Sequence, residues 1–125
     1  MARVTGIGGF FIRTREPKAM AAWYAEHLGV GVTTPWMTEA GPTAFATFPS
    51  DTDYFGHLEQ GAMLNLRVDD LDAMMAHLSA AGIAAERREE WDGPHGRFAR
   101  IHDPEGNSVE LWEPGVPPTP ATEPR

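Results

Sequence analysis

An internal repeat constrains this chain more than any other feature, because a sequence written twice folds as two similar units. Residues 9–20, "GFFIRTREPKAM", align with residues 63–74, "MLNLRVDDLDAM", at an offset of about 54. At one residue less, "FATF" of 45–48 falls on "FARI" of 98–101. The repeat therefore predicts two consecutive units, each a strand, a helix and further strands.

Composition excludes several classes of protein. The 125 residues suffice for one domain, and 42% hydrophobic residues are ordinary for a globular protein. A formal net charge of −8 argues against nucleic acid and anionic membranes as partners, since both select basic surfaces. No stretch approaches a membrane span or a signal segment, so we expect a cytoplasmic protein. Without cysteine there is no disulfide, thiolate nucleophile or cysteine-based zinc site.

Each unit contains one predicted helix. The first is expected from Pro17, a favoured first-turn residue, to Leu28, with Gly29 ending it. The second is expected to start near Asp69 or Asp70, either of which can cap it, and to end before Gly82. Residues at helical spacing predict the buried face of each helix: Met20, Trp23, Tyr24, His27 and Leu28 in the first helix, and Leu71, Met74, Met75 and Leu78 in the second. At this spacing His27 is expected to be a packed or rim histidine and not a metal ligand.

Period-two alternation predicts two different faces of a sheet. One face packs on the helices and carries Phe10, Ile12, Leu64, Leu66, Val68, Ala99, Ile101, Val109 and Leu111. The other, which we call the cup face, mixes aromatic and charged residues and is expected to curl around a ligand. Its predicted members are Phe11, Arg13, Phe45, Asn65, Arg67, Phe98, Arg100, Glu110 and Trp112, with His102 on the same side.

The last predicted strand follows a tight turn at residues 103–106, "DPEG", which has the residue types of a β-turn. Two other segments are less regular. Residues 49–62 form a turn-rich connector that either holds a short strand or none. Residues 114–125 are too rich in proline for a strand or helix and are expected to form an extended tail.

The repeat, the helix ending "AAWYAEHLG" and the closing strand "DPEGNSVELWEP" resemble the vicinal oxygen chelate superfamily, over about residues 6–113. Glyoxalase I-like enzymes, bleomycin-resistance proteins and extradiol dioxygenases belong to it. The resemblance implies an α+β fold of two tandem βαβββ modules, about 6–60 and 61–113, within a domain 1–113. The modules form a curved mixed sheet around a cup, and the resemblance also implies a homodimer.

Metal-dependent members of the superfamily take one ligand from the first strand and one from the last strand of each module. By resemblance these positions fall on Gly9, Met63, Glu110 and a residue near His57. Glycine has no side chain, and a thioether does not suit a hard or borderline divalent cation. Glu110 and His57 are therefore the remaining candidate ligands, and no cofactor is expected.

Glu110 has two open interpretations. If it lies inside the cup it needs a partner, and it then pairs with Arg100 or Arg67. Alternatively, it serves as a general base or ligand anchor beside the same arginines. The arginines of the cup face predict a ligand with a carboxylate, phosphate or polarised carbonyl, stacked on aromatic rings. The resemblance implies a substrate contact for Arg13.

Two functions follow. One is a glyoxalase- or lyase-like enzyme acting on a carbonyl- or carboxylate-bearing metabolite, with Glu110 as the catalytic residue. The other is a protein that sequesters a small aromatic or antibiotic-like ligand without turnover. Trp36 and Trp91 lie in connectors where they could either cover the cup or contact a second subunit.

Overall fold

A computed structural model of the chain describes residues 2–115. It contains two helices and a four-stranded mixed sheet: α1 (Pro17–Leu28), β1 (Leu64–Arg67), α2 (Leu71–Ala80), β2 (Glu86–Arg87), β3 (Gly96–His102) and β4 (Ser108–Pro114), with a 3₁₀ turn at Glu89–Trp91. The strand order is β1-β4-β3-β2. β1 runs parallel to β4, and the other neighbours are antiparallel. The predicted α+β fold with a curved mixed sheet is confirmed.

Both helices have the bounds that the sequence predicts. α1 ends at Gly29, whose backbone φ of 69° is left-handed and whose amide bonds back to the Ala25 carbonyl. α2 is capped by Asp70, whose carboxylate accepts from the Ala73 amide at 3.0 Å. Gly29 at the end of α1 and Asp70 at the start of α2 are thus local signals, supplied by the residues next to each helix.

Both helices pack on the same face of the sheet. Met20 and Tyr24 of α1 and Leu71 and Leu78 of α2 are buried against the inward residues of β3 and β4, which are Ala99, Ile101, Val109 and Leu111. Leu64, Leu66 and Val68 pack against this core, as do Met74 and Met75. The predicted helix-facing phase of the second module is therefore confirmed. Glu110 and Trp112 alternate with Val109 and Leu111 and face away from the helices, toward the cup side.

The first module does not form its predicted strands. Residues 9–13 and 45–48 have no partner in any ladder of the described chain, and all four strands belong to the second module. Phe10 and Ile12 keep 46% and 43% of their surface exposed, so the expectation that they are buried is wrong. Alternation predicts which side chains share a face, but a strand also needs a neighbour for its hydrogen bonds.

The turn before β4 joins the two modules. Gly106 closes it by donating its amide to the Asp103 carbonyl at 2.9 Å. The carboxylate of Glu105 accepts from the free amides of Arg15 at 2.9 Å and Glu16 at 3.1 Å, immediately before α1. Since Glu16 supplies no capping side chain, the second module provides the cap of the first module's helix.

The connector 49–62 contains turns, and the short strand considered for it is absent. Turn bonds join Thr52 to Pro49 and Gly56 to Asp53. Gln60 fastens the end of the connector to β4, since its amide donates to the Ser108 carbonyl at 2.9 Å and accepts from the Ser108 amide at 2.8 Å. The connector is thereby held against the cup side of the sheet.

Neither helix described between residues 2 and 115 is long and apolar enough to cross a membrane. Most of the predicted C-terminal tail, residues 116–125, lies outside the described residues. β4 includes Pro114, so the strand reaches the first residue assigned to that tail.

Candidate functional site

The carboxylate of Glu110 is the centre of a polar cluster on the cup face. The residue is 9% exposed. Asn65, its register partner on β1, donates a side-chain amide hydrogen to Oε1 at 2.7 Å. Tyr54 of the connector donates its hydroxyl to Oε2 in a short hydrogen bond. Two neutral donors therefore satisfy the two carboxylate oxygens.

Neither Arg100 nor Arg67 forms an ion pair with Glu110, so the predicted pairing with one of these two arginines is wrong. Arg100 lies opposite Glu110 in the β3–β4 register, but its guanidinium donates to the backbone carbonyl of Tyr54. The guanidinium carbon lies 4.8 Å from the centroid of the Tyr54 ring and 5.2 Å from that of Trp91. The Arg100 guanidinium therefore makes cation–π contacts with both rings, and these contacts take the place of a salt bridge to Glu110.

One donor of Arg100 is left without a partner. Its Nε is buried and has no hydrogen-bond acceptor among the described residues. Buried N–H groups are nearly always satisfied, so an unpaired one calls for an acceptor. The sequence could not locate this group, because it depends on how the connector covers β3.

Aromatic rings surround the cluster on two sides. Phe48 stacks on Tyr54 with ring centroids 5.6 Å apart, and Trp91 meets Tyr54 edge-on at 6.3 Å. Phe98 and Trp112, cross-strand partners on β3 and β4, stack at 6.2 Å. The Trp112 indole donates to the His95 carbonyl at 2.8 Å, which fixes the ring. The cup face thus offers flat apolar surfaces beside a buried carboxylate and a part-buried guanidinium whose Nε is buried.

Burial and the neighbouring carboxylate keep the Tyr54 hydroxyl protonated. Desolvation is the larger cause, and the hydrogen bond and charge of Glu110 add to it, raising the pKa of Tyr54 to about 12. The Arg100 charge acts in the opposite direction without cancelling the rise. Tyr54 is therefore a hydrogen-bond donor at neutral pH and not a base.

The structure brings together only the second-module residues of the predicted site. Asn65 and Glu110 are in contact, Arg100 lies beside them through Tyr54, and Phe98 and Trp112 form their own stack. Phe11 and Phe45 remain 93% and 87% exposed. These two rings make no part of the Glu110 cluster within this chain.

The other two predicted arginines, Arg67 and Arg13, lie away from Glu110. Arg67 donates to the Glu39 carbonyl at 2.8 Å, under a stretch where Gly41 has no side chain to obstruct the guanidinium. Arg13 lines an open groove beside the turn that caps α1, together with Thr14, Arg15, His57, Glu59, Glu105 and Asn107. Arg13 is not carried onto the cup face, because the first-module strand predicted for it is not paired. Arg67 is on the paired strand β1, but its guanidinium is turned to the Glu39 carbonyl.

The donor set does not fit a divalent metal well. No group of three or more His, Cys, Asp or Glu side chains that could hold a metal ion occurs within residues 2–115. His57 lies in the groove with Arg13, and Glu110 is not among the residues that line it. The oxygens of Glu110 already accept from Tyr54 and Asn65, so a metal there would have to displace both donors.

Tyr54 is the site residue that sequence reasoning missed, and Trp91 was left with two interpretations. Tyr54 lies in the connector whose register was uncertain, between turn-forming residues, so alternation could not assign it to a face. The sequence offers only a compositional signal for Tyr54, which is an aromatic residue within a polar, turn-forming segment. His102, predicted on the cup side, is the last residue of β3, where its Nε2 lies 3.3 Å from the Ser108 hydroxyl oxygen.

The chain resembles a known protein family and solved structures. Residues 9–112 match the family model described as a glyoxalase-like domain. No curated protein matches the chain. The crystal structure of TnmS3, an antibiotic binding protein from Streptomyces sp. CB03234, is similar at 23% identity with a TM-score of 0.60. The match covers 92% of this chain and 100% of that chain, and it supports the fold alone.

A second structure shares only part of the chain. It is a glyoxalase/bleomycin resistance protein from Streptomyces sp. CB03234, 36% identical over 43% of this chain and 46% of that chain. Its TM-score of 0.37 is too low to support a structural argument.

Proposed function

This chain belongs to the glyoxalase-like domain family, within the vicinal oxygen chelate superfamily, and from this premise we propose that it binds a small planar aromatic molecule on its cup face. The ligand carries an acceptor oxygen, as a carboxylate or a polarised carbonyl. The proposed role is capture without chemical conversion. TnmS3 is an antibiotic binding protein, but at 23% identity it is the side chains of this chain that support the proposal.

The observation that carries the proposal is the buried, unpaired Nε–H of Arg100. It lies beside the rings of Tyr54 and Trp91, so an acceptor oxygen bonded to it would place an attached ring system against aromatic surface. A hydrogen bond to a charged donor contributes about 1.5–3 kcal/mol. Stacking on fixed aromatic rings adds to this without requiring a deep polar pocket.

The occupancy of Glu110 favours binding over catalysis. A general base must reach a substrate proton, whereas both oxygens of this carboxylate accept from Tyr54 and Asn65. The enzyme alternative needs the connector to withdraw Tyr54 and free Oε2. One specific feature keeps that alternative open: the carboxylate is buried on the ligand side of the sheet, where a lyase- or isomerase-type reaction would place its base.

A fluorescence titration tests the binding proposal. Quenching of tryptophan emission is measured with anthraquinone-2-carboxylate and with an anthraquinone bearing a quaternary ammonium group at the same position. We expect the carboxylate to bind the protein at least about tenfold more tightly, since one charged hydrogen bond is worth that much. Tighter binding of the cationic probe would contradict the proposal.

Arg97 provides a matched control on the same strand. It pairs with Asp72 at 2.9 Å, away from the Glu110 cluster. Arg100→Met should weaken binding of the carboxylate about tenfold, whereas Arg97→Met should leave it unchanged. Glu110→Gln separates the two functions: a capturing protein keeps its affinity, whereas an enzyme still binds but loses roughly 10²-fold in turnover, followed by mass spectrometry of the ligand.

We also propose a location, a set of excluded partners and an assembly for the protein. The lack of cysteine in the sequence and the formal net charge of −8 support a cytoplasmic protein without nucleic-acid or membrane partners. Family resemblance supports a homodimer as the assembly, without indicating which surfaces meet.

A further inference from the structure

The guanidinium of Arg100 is a positive charge without an acidic partner. None of the ion pairs of the described chain includes it. Its Nη2 donates to the Tyr54 carbonyl, and its Nε has no acceptor. The rings of Tyr54 and Trp91 attract the cation, but they do not satisfy its in-plane N–H groups. The guanidinium is thus held in place while its capacity to bind an anion is only partly used.

Nη2 is the donor that a carboxylate needs. A carboxylate binds a guanidinium bidentately through two parallel N–H bonds. In the planar fork these come from Nε with Nη2 or from Nη1 with Nη2, so both arrangements use Nη2. The Tyr54 carbonyl occupies Nη2 of Arg100 in this chain. A carboxylate can therefore bind Arg100 bidentately only by displacing that carbonyl.

The side of the site that carries Tyr54 is the one able to move. The unpaired Nε is buried, so an acceptor reaches it only when a neighbouring group moves. Trp91 is held firmly, because the adjacent Asp92 carboxylate accepts from both terminal nitrogens of Arg87 at 2.7 and 2.9 Å. The same carboxylate accepts from the Phe98 amide of β3 at 3.2 Å. Access to Nε therefore requires movement of the connector that contains Tyr54.

The connector is fastened to the sheet at two points. Gln60 makes two hydrogen bonds to the backbone of β4. Within residues 49–59, the hydrogen bonds that reach the sheet in the described chain are those of the Tyr54 hydroxyl and the Tyr54 carbonyl. The other described bonds of this stretch close turns inside the connector. Release of Tyr54 therefore frees residues 49–59 while Gln60 holds their end in place.

We propose that Tyr54 makes the site selective for carboxylates and that the connector opens when a carboxylate binds. This inference rests on the proposed function and narrows its ligand class. The carboxylate takes Nε and Nη2 of Arg100, and Glu110 Oε2 loses the Tyr54 hydroxyl while Asn65 still donates to Oε1. Two charge-assisted hydrogen bonds replace one bond to a neutral carbonyl. A ketone has one oxygen to align with the two parallel donors, so it cannot compensate fully for the displaced carbonyl.

Two planar probes that differ in one group test the selectivity. Quenching of tryptophan emission is measured with 2-anthracenecarboxylate and with 2-acetylanthracene. We expect the carboxylate to bind at least about tenfold more tightly, because its second oxygen recovers a hydrogen bond to a charged donor. Equal affinities would overturn this inference and leave the proposed capture function intact. Binding of neither probe would contradict the proposed function itself.

The Cζ resonances of ¹³C-labelled tyrosine report the opening. The chain has two tyrosines, Tyr24 and Tyr54, and Tyr54→Phe assigns their signals. In the closed site, burial raises the pKa of Tyr54 to about 12. With saturating 2-anthracenecarboxylate we expect this pKa to fall toward the ordinary value of 10.0, whereas the Tyr24 signal stays unchanged. Tight binding of the carboxylate without a change in the Tyr54 titration would overturn the opening.

Three variants separate the fork from the charge. Arg100→Lys keeps a cation but lacks the planar fork, so it should bind the two probes with nearly equal affinity. Arg97→Lys, on the same strand and paired with Asp72, should keep the preference for the carboxylate.

Tyr54→Phe removes one of the two bonds that hold the connector closed, so it should bind the carboxylate about tenfold more tightly than the parent. Weaker binding by Tyr54→Phe would refute the role of Tyr54 in closing the site. If Arg100→Lys fails to fold, the labelled parent protein and Tyr54→Phe decide.

Discussion

The hydroxyl of Tyr24 donates a hydrogen bond of 2.7 Å to Oδ2 of Asp103, joining helix α1 to the turn before β4. Asp103 is 4% exposed, and its carboxylate also accepts from the amides of Glu105 and Asn107 and from the Asn107 side chain. The buried charge is thus satisfied by neutral donors from both modules. This contact fixes the first-module helix on the second-module sheet.

Removing that hydroxyl should destabilise the fold. Tyr24→Phe leaves Asp103 buried with one donor fewer, so we expect the free energy of unfolding to fall by about 1.5–3 kcal/mol. Urea denaturation followed by circular dichroism measures the change. Lys18→Gln, an exposed change on the same helix, should stay within about 0.5 kcal/mol of the parent. Equal stability of the two variants would show that the hydrogen bond contributes nothing.

The Glu105 carboxylate should behave as a helix cap supplied from the other module. Glu105→Ala removes the acceptor of the Arg15 and Glu16 amides, and the expected loss is about 1 kcal/mol, within the range of N-cap substitutions. Thermal unfolding with and without added salt measures it. Glu59→Ala, in the same groove but without such a bond among those described, is the control and should have little effect.

Substitutions of Glu110 should separate the roles of charge and hydrogen bonding. Glu110→Gln keeps groups that can bond Tyr54 and Asn65, so we expect stability close to that of the parent. Glu110→Ala leaves both donors without an acceptor and should lower the free energy of unfolding by about 1–3 kcal/mol. Chemical denaturation of the two variants provides the comparison. A large loss in the glutamine variant would instead indicate dependence on the negative charge.

Ionisation of the two tyrosines should be delayed in the folded protein. Burial raises the pKa of Tyr54 to about 12, and burial together with Asp103 raises that of Tyr24 still further, both from 10.0. Tyrosinate absorbance should therefore stay low near pH 10 and appear only above it. Because the folded pKa values exceed the unfolded ones, this stabilisation is complete below pH 10 and is lost as pH rises toward and beyond 12. Half-ionisation of a tyrosine at pH 10 without unfolding would contradict the assignment.

Metal dependence can be tested directly at the family's ligand positions. With Gly9 and Met63 in two of them, we expect no near-stoichiometric metal in protein purified without a tag or chelator, and no change in melting temperature with divalent ions. Elemental analysis and melting curves provide the readouts. Bound metal, lost on His57→Ala or Glu110→Gln, would overturn this expectation and assign those residues as ligands.

The sequence by itself determined the local elements. The positions of Pro17, Gly29 and Asp70 specified the helix ends, and alternation in 63–68 and 108–112 specified which side chains face the core. These features depend on backbone preferences and side-chain period within a few residues of one another. Because the helix ends and strand faces depend on short stretches of sequence, they could be predicted without the tertiary structure.

Only the tertiary structure decided the partners. Alternation assigned Glu110 to the cup face, but its pairing with Tyr54 and Asn65 depends on how an irregular connector folds over β4. The alternating pattern of residues 9–13 is visible in the sequence. A strand forms there only where another strand is available to pair with it. Periodicity assigns a residue to one face of a strand or helix. A side-chain hydrogen bond or a strand ladder, in contrast, requires two segments distant in sequence to come together, and a local sequence pattern does not specify which segments do so.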